Sequence, residues 1–153
     1  MKVFLLSICW LFVVAAGTAS CGGKVSVANQ AQPGKLQGGP VTDYASLIDS
    51  LRAGGVSVEP EGEVDQPFLS VTGTMIKLHG EDVQVFQYPN AAAAEAQAAR
   101  VSRDGSAVGT TKIHWIGPPH FYKQGRLLVL YIGDEDKVLK ALEAVLGRQF
   151  AGK

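Results

Sequence analysis

Leu127-Leu128-Val129-Leu130-Tyr131-Ile132 is an unbroken run of six apolar residues. A strand with one face in water alternates apolar and polar side chains. A strand without alternation is apolar on both faces and has to be covered on both. The run therefore predicts a central strand over 126–132, with packed material above and below it. Working upstream, 74–79 and 83–88 flank the polar stretch His79-Gly80-Glu81-Asp82. Thr74, Ile76 and Leu78 alternate on one side of that stretch, and Val83 and Val85 on the other, which predicts a hairpin. Another strand is predicted over 111–116. Shorter ones are predicted at 56–58 and 67–71, and 59–65, with Pro60 and Gly62, reads as an acidic loop.

Three helices fit between these strands. Tyr44, Leu47, Ile48 and Leu51 recur at i, i+3, i+4 and i+7, behind Thr42 or Asp43 as a cap and ahead of Gly54-Gly55 as a stop. Asn90 can cap an Ala-rich helix over 91–101, whose low bulk suits close packing on a sheet. Asp134 can cap a third, with Val138, Leu139, Leu142, Val145 and Leu146 on one face and Gly147 at its end. Its first turn is acidic (Asp134, Glu135, Asp136), as the helix dipole favours. The fold class is therefore α+β: a mainly antiparallel sheet of about 4–6 strands with three helices packed mostly on one face. The expected core includes Leu47, Leu51, Ile76, Val85, Leu128, Leu130, Leu139, Leu142 and Leu146.

The N-terminus has a different logic. Lys2 precedes an apolar stretch over 3–16, then Gly17-Thr18-Ala19-Ser20-Cys21-Gly22-Gly23. The stretch falls short of the roughly 20 apolar residues a bilayer span requires. A charged start, a short apolar run and small residues make a signal peptide, and Cys21 is placed as the lipidated Cys of a bacterial lipobox. Thr18 stands where Leu is usual. Ordinary secretory cleavage among the small residues is the alternative. Cysteine arithmetic favours lipid: of the two cysteines, Cys9 leaves with the leader, and Cys21 alone would be an exposed thiol without a partner. Several acyl chains on one Cys anchor stably, whereas one binds only marginally. Residues 22–40 are rich in Gly, Gln, Ala and Pro, lack an apolar period, and read as a flexible tether of roughly 25 Å root-mean-square span. The expected layout is thus 1–20 signal peptide, 21–40 lipidated Cys and tether, and 41–153 one domain. The expected location is the bacterial cell envelope, outside the cytoplasm.

Charge excludes one class of partner. The 14 Lys and Arg balance 14 Asp and Glu, and losing Lys2 tips the remainder slightly acidic. A nucleic-acid binder needs a strongly basic footprint, so no nucleic acid is expected. Motifs of chemistry are sparse. After Cys21 there is no further Cys, and no nucleophile elbow or phosphate loop. His79, His114 and His120 lack the spacing of a zinc site. Glu59, Glu61, Glu63 and Asp65 alternate without the calcium-loop pattern. No metal or cofactor is expected.

Trp115-Ile116-Gly117-Pro118-Pro119-His120-Phe121-Tyr122 is the most unusual composition in the domain. Trp115, His120, Phe121 and Tyr122 are the candidate contact surface, because aromatics on a Pro-stiffened loop bind at low entropic cost. The competing reading makes the segment a connection between strands, with Trp115 and Phe121 in the core.

Three segments carry a resemblance: 80–88 (GEDVQVFQY), 118–122 (PPHFY) and 128–133 (LVLYIG). With them the domain from about Tyr44 onward resembles small bacterial lipoproteins of uncharacterised activity. The resemblance implies an envelope location and a one-domain layout, and no chemistry. The function expected is a non-enzymatic binding module with an envelope protein or ligand as partner, held to the membrane through Cys21. The alternative is an envelope hydrolase or metal-dependent enzyme using His114, His120 and carboxylates.

Overall fold

The structure is a computed structural model that describes residues 40–153; the leader, Cys21 and nearly all of the tether lie outside the described residues. Three helices pack on a six-stranded antiparallel sheet, accompanied by a small two-stranded sheet. The helices are α1 (Tyr44–Ala53), α2 (Ala91–Ala98) and α3 (Asp136–Leu146). The main sheet comprises β1 (Val58–Val64), β2 (Gly73–Leu78), β3 (Glu81–Gln87), β6 (Pro119–Gln124), β7 (Leu127–Ile132) and β8 (Ala151–Gly152). Its order is β1-β2-β3-β7-β6-β8. The small sheet pairs β4 (Ala107–Val108) with β5 (Thr111–Lys112). Among the described residues no helix is long and apolar enough to cross a membrane.

The apolar run is an interior strand, as its lack of alternation requires. β7 lies between β3 and β6, and Leu127 to Tyr131 are all buried. Its side chains feed two cores. On one face Leu127, Val129 and Tyr131 pack with α1 and α3 through Leu47, Ile48, Leu51, Val138, Leu142 and Leu146. On the other face Leu128 and Leu130 pack with Phe68, Phe86, Phe121 and with Ala94 and Ala98 of α2. Two of the three helices thus share a face. Of the expected core only Leu139 is half-buried rather than buried.

Local rules set the element ends. Asp43 caps α1, accepting from the Ser46 amide at 3.0 Å while the Ser46 hydroxyl accepts from the Asp43 amide at 3.0 Å. Asn90 caps α2, which ends at Ala98 rather than Val101. The cap of α3 is Glu135, one residue later than expected. The β2–β3 turn is tighter than expected: only His79 and Gly80 lie outside the strands, both with positive φ (53° and 90°), the geometry of a two-residue hairpin turn.

Several expectations are corrected. Residues 58–64 form strand β1, not an acidic loop. β1 is an edge strand, and an edge tolerates charge, Pro60 and the bulge between Pro60 and Gly62, which interrupts its pairing with β2. Residues 67–71 are a turn rather than a strand, and Phe68 and Leu69 fold over the α2 face. The strand expected over 111–116 stops at Lys112. β6 and β8 were not anticipated. Pro119 opens β6 as its first residue, where a missing N–H costs least.

Candidate functional site

The aromatic segment is divided by β6 rather than displayed by it. Successive side chains on a strand point to opposite faces. His120 and Tyr122 lie toward α3, and Phe121 lies in the α2-side core. Phe121 is 0 %, Tyr122 3 % and His120 6 % exposed, so these three do not form the presented surface that a stiff loop would give. The physical reason is that Pro118-Pro119 leads into a paired strand instead of a bend. Trp115 is half-buried: its indole N–H donates to the Gly105 carbonyl at 2.7 Å. Its ring stands edge-on to Phe68 and Phe121, with centroids 5.7 and 6.0 Å away. It belongs with the α2-side core.

The chain after α3 builds a site around His120. Gly147 ends the helix, and the tail returns along β6 as β8, with Gly152 opposite His120 and Ala151 opposite Phe121. The Phe150 amide donates to the Phe121 carbonyl at 2.9 Å and the Lys153 amide to the Pro119 carbonyl at 3.1 Å. This return brings the Gln149 side-chain oxygen to 2.5 Å from His120 Nδ1. The Gln149 amide nitrogen donates to the Lys153 carbonyl at 3.3 Å, which fixes the oxygen toward the imidazole. A carbonyl oxygen only accepts, so Nδ1 donates, and in the neutral ring Nε2 carries the lone pair. Nε2 is buried and has no partner among the described residues. The ring stacks with Tyr131, at 6.0 Å between centroids and 23° between planes.

The ring lines an open cavity of about 320 Å³ bounded by His120, Tyr122, Leu139, Glu143, Arg148, Gln149 and Lys153. Strand β6 makes its floor, α3 one wall and the returning tail the other. Burial pushes the Tyr122 phenol up to about 12, with the negative charge of Glu143 and the neighbouring Tyr131 adding to the shift. Tyr122 therefore enters the site as a proton-bearing phenol. Arg148 and Lys153 form no ion pair with any described residue; the cations that do are Lys77, Lys123, Arg126 and Lys140. The arrangement holds one imidazole, one phenol, two cations and one carboxylate. It can bind a polar molecule through several points. Its lining contains no Ser, Thr or Cys to act as a nucleophile.

His114 and His120 are not brought together. His114 is exposed and lines a different cavity, of about 510 Å³, beside Trp115, Pro118 and Asp104. Asp104 is committed to its own turn: it accepts from the hydroxyls of Ser102 at 2.7 Å and Ser106 at 2.9 Å and from the Ser106 amide at 3.1 Å, which holds its carboxyl down at about 2. Among the described residues no three His, Cys, Asp or Glu side chains converge as metal ligands. A centre built on His114 and His120 does not fit this geometry. Sequence reading singled out His120 and Tyr122 but missed Glu143, Arg148, Gln149 and Lys153. Nothing in their spacing marks them, because only the return of the tail along β6 places them beside the imidazole. Comparison with protein-family models, with curated proteins and with solved structures finds no match to this chain.

Proposed function

We propose that the protein is a membrane-anchored bacterial envelope lipoprotein, held outside the cytoplasm through lipidated Cys21, and that its domain is a binding module rather than an enzyme. The anchoring half rests on the sequence before residue 40: a charged start, a short apolar run, and a single Cys with small neighbours. The binding half rests on one observation, the His120 ring. Its Nδ1 is fixed by Gln149, and its buried Nε2 has no partner among the described residues although His120 lines a cavity. A buried acceptor without a donor costs about 1–3 kcal/mol, a cost that a donor from solvent or ligand offsets. The neighbouring groups suit recognition, since no Ser, Thr or Cys stands beside the imidazole in the lining to make the hydroxyl- or thiol-and-base pair of covalent catalysis.

The test of anchoring is Cys21→Ser in the full chain. Lipid labelling should disappear and the protein should move from the membrane fraction to the soluble one. A wild-type protein that is already soluble after signal cleavage sinks this reading.

A further inference from the structure

We propose that the cavity beside His120 takes a small carboxylate carrying a hydrogen-bond donor close to its carboxyl group: a hydroxy acid, an acylated amino acid, or the C-terminal end of a peptide. This rests on the reading of the domain as a binding module and names the ligand of that module.

The donor is called for by His120. The Gln149 oxygen at Nδ1 fixes the tautomer, so Nε2 can only accept while the ring is neutral. Nine-tenths of the residue is buried, Nε2 is closed off from solvent and has no partner among the described residues, and His120 lines the cavity, so we place the ligand's donor at Nε2 with the cavity as its way in. A hydroxyl or amide N–H meets that requirement. Against the neutral ring a bare carboxylate does not, because its oxygens and Nε2 would be lone pair against lone pair.

The carboxylate is called for by Arg148 and Lys153, which face the same cavity and have no ion-pair partner among the described residues. The planar fork of Arg matches two carboxylate oxygens, giving a charge-assisted pair stronger than a neutral hydrogen bond. Glu143 sets polarity within the site. Lying on α3, it repels an anion placed against the helix wall and steers the carboxylate toward the tail, leaving the donor end to His120. It also counts against a dianion. A metal ion at Nε2 would find one carboxylate and two repelling cations, which disfavours that occupant. Leu139 supplies an apolar wall for the carbon between the two polar ends, and Tyr122, keeping its proton, can donate beside His120.

The experiment follows the imidazole signals of His120 by NMR in the full chain held in detergent micelles. Lactate and N-acetylalanine are the probes; acetate lacks the donor and lactamide lacks the carboxylate. At least one probe should give a saturable shift of His120, with acetate and lactamide at least about tenfold weaker, as loss of a charge-assisted or buried hydrogen bond implies. Response to lactate alone points to a free acid, and response to N-acetylalanine alone to an acylated or peptide end. Arg148 is exposed, so Arg148→Gln should fold with an unchanged melting temperature and bind about tenfold or more weaker. The proposal is overturned if neither probe shifts His120, if acetate binds as tightly as the probes, or if Arg148→Gln binds like wild type. A chain that leaves the membrane on Cys21→Ser yet fails these titrations loses the ligand and keeps the anchor. The reverse pattern loses the anchor alone.

Discussion

At Gly152 the tail runs so close to β6 that a Cβ would overlap the Pro119 carbonyl oxygen, and φ there is +111°, a conformation that only glycine holds without strain. The approach is what lets two residues of β8 pair with His120 and Phe121 and bring Gln149 to the imidazole. Gly152→Ala should therefore detach β8 at a cost of about 1–3 kcal/mol. Hydrogen exchange checks it: the amides of Phe150, Gly152 and Lys153, which now donate to Phe121, Arg103 and Pro119, should lose protection while those of β7 keep theirs. Unchanged protection at these three amides would show that the tail does not depend on the missing side chain. Nothing around Gly152 in the sequence announces this role, since a glycine near a chain end reads the same whether it is pressed against a strand or lies free in solvent.

The element most legible in the sequence is β7, because burial on both faces leaves an unmistakable trace, an apolar run without alternation. Leu130 is fully buried between β3 and β6, opposite Gln84 and Phe121. Leu130→Ala should cost about 2–5 kcal/mol, read from chemical denaturation, and a loss under about 1 kcal/mol would contradict its place in the α2-side core. Helix α1 and the β2–β3 hairpin were equally readable, their periods and caps being local. β1 and β6 were not, for opposite reasons. β1 looks like a loop because its burial runs from Val58 at one end to a half-buried Val64, with the residues between exposed. β6 looks like a bend because Pro118-Pro119 precedes it, and the partners that make it a strand, β7 and β8, both lie later in the chain. The same non-locality hid four of the seven residues that line the His120 cavity.

For the molecule as a whole, pH gives a check on packing. Burial raises the phenols of Tyr44, Tyr88, Tyr122 and Tyr131, and Tyr122 is carried to about 12. Each phenol is then harder to ionise folded than unfolded, so the unfolded chain loses its proton first as pH rises. The stabilisation is complete below pH 10 and is lost as pH climbs through 12, a fall of roughly 2–3 kcal/mol for Tyr122. Tyr122→Phe should flatten the alkaline limb of a stability–pH curve, and a limb as steep as wild type would place Tyr122 in contact with water. Asp104 has the opposite sign. Its carboxyl is held down at about 2 by Ser102 and Ser106, so its contribution is present above 3.8 and lost as pH falls through 2.

The strand order carries a consequence for kinetics. β2–β3 and β6–β7 are hairpins closed by short turns, whereas β3 meets β7 only after α2, the small sheet and β6 have been traversed, with Gln87 opposite Leu127. Hairpins close in about 1–10 μs, but the long excursion between β3 and β7 has to lose its loop entropy before any contact across the seam compensates. The barrier to folding is then expected at the docking of two preformed hairpins. Leu130, on the seam, should report it: Leu130→Ala slows refolding more than it hastens unfolding, and a change confined to the unfolding rate would put the barrier elsewhere.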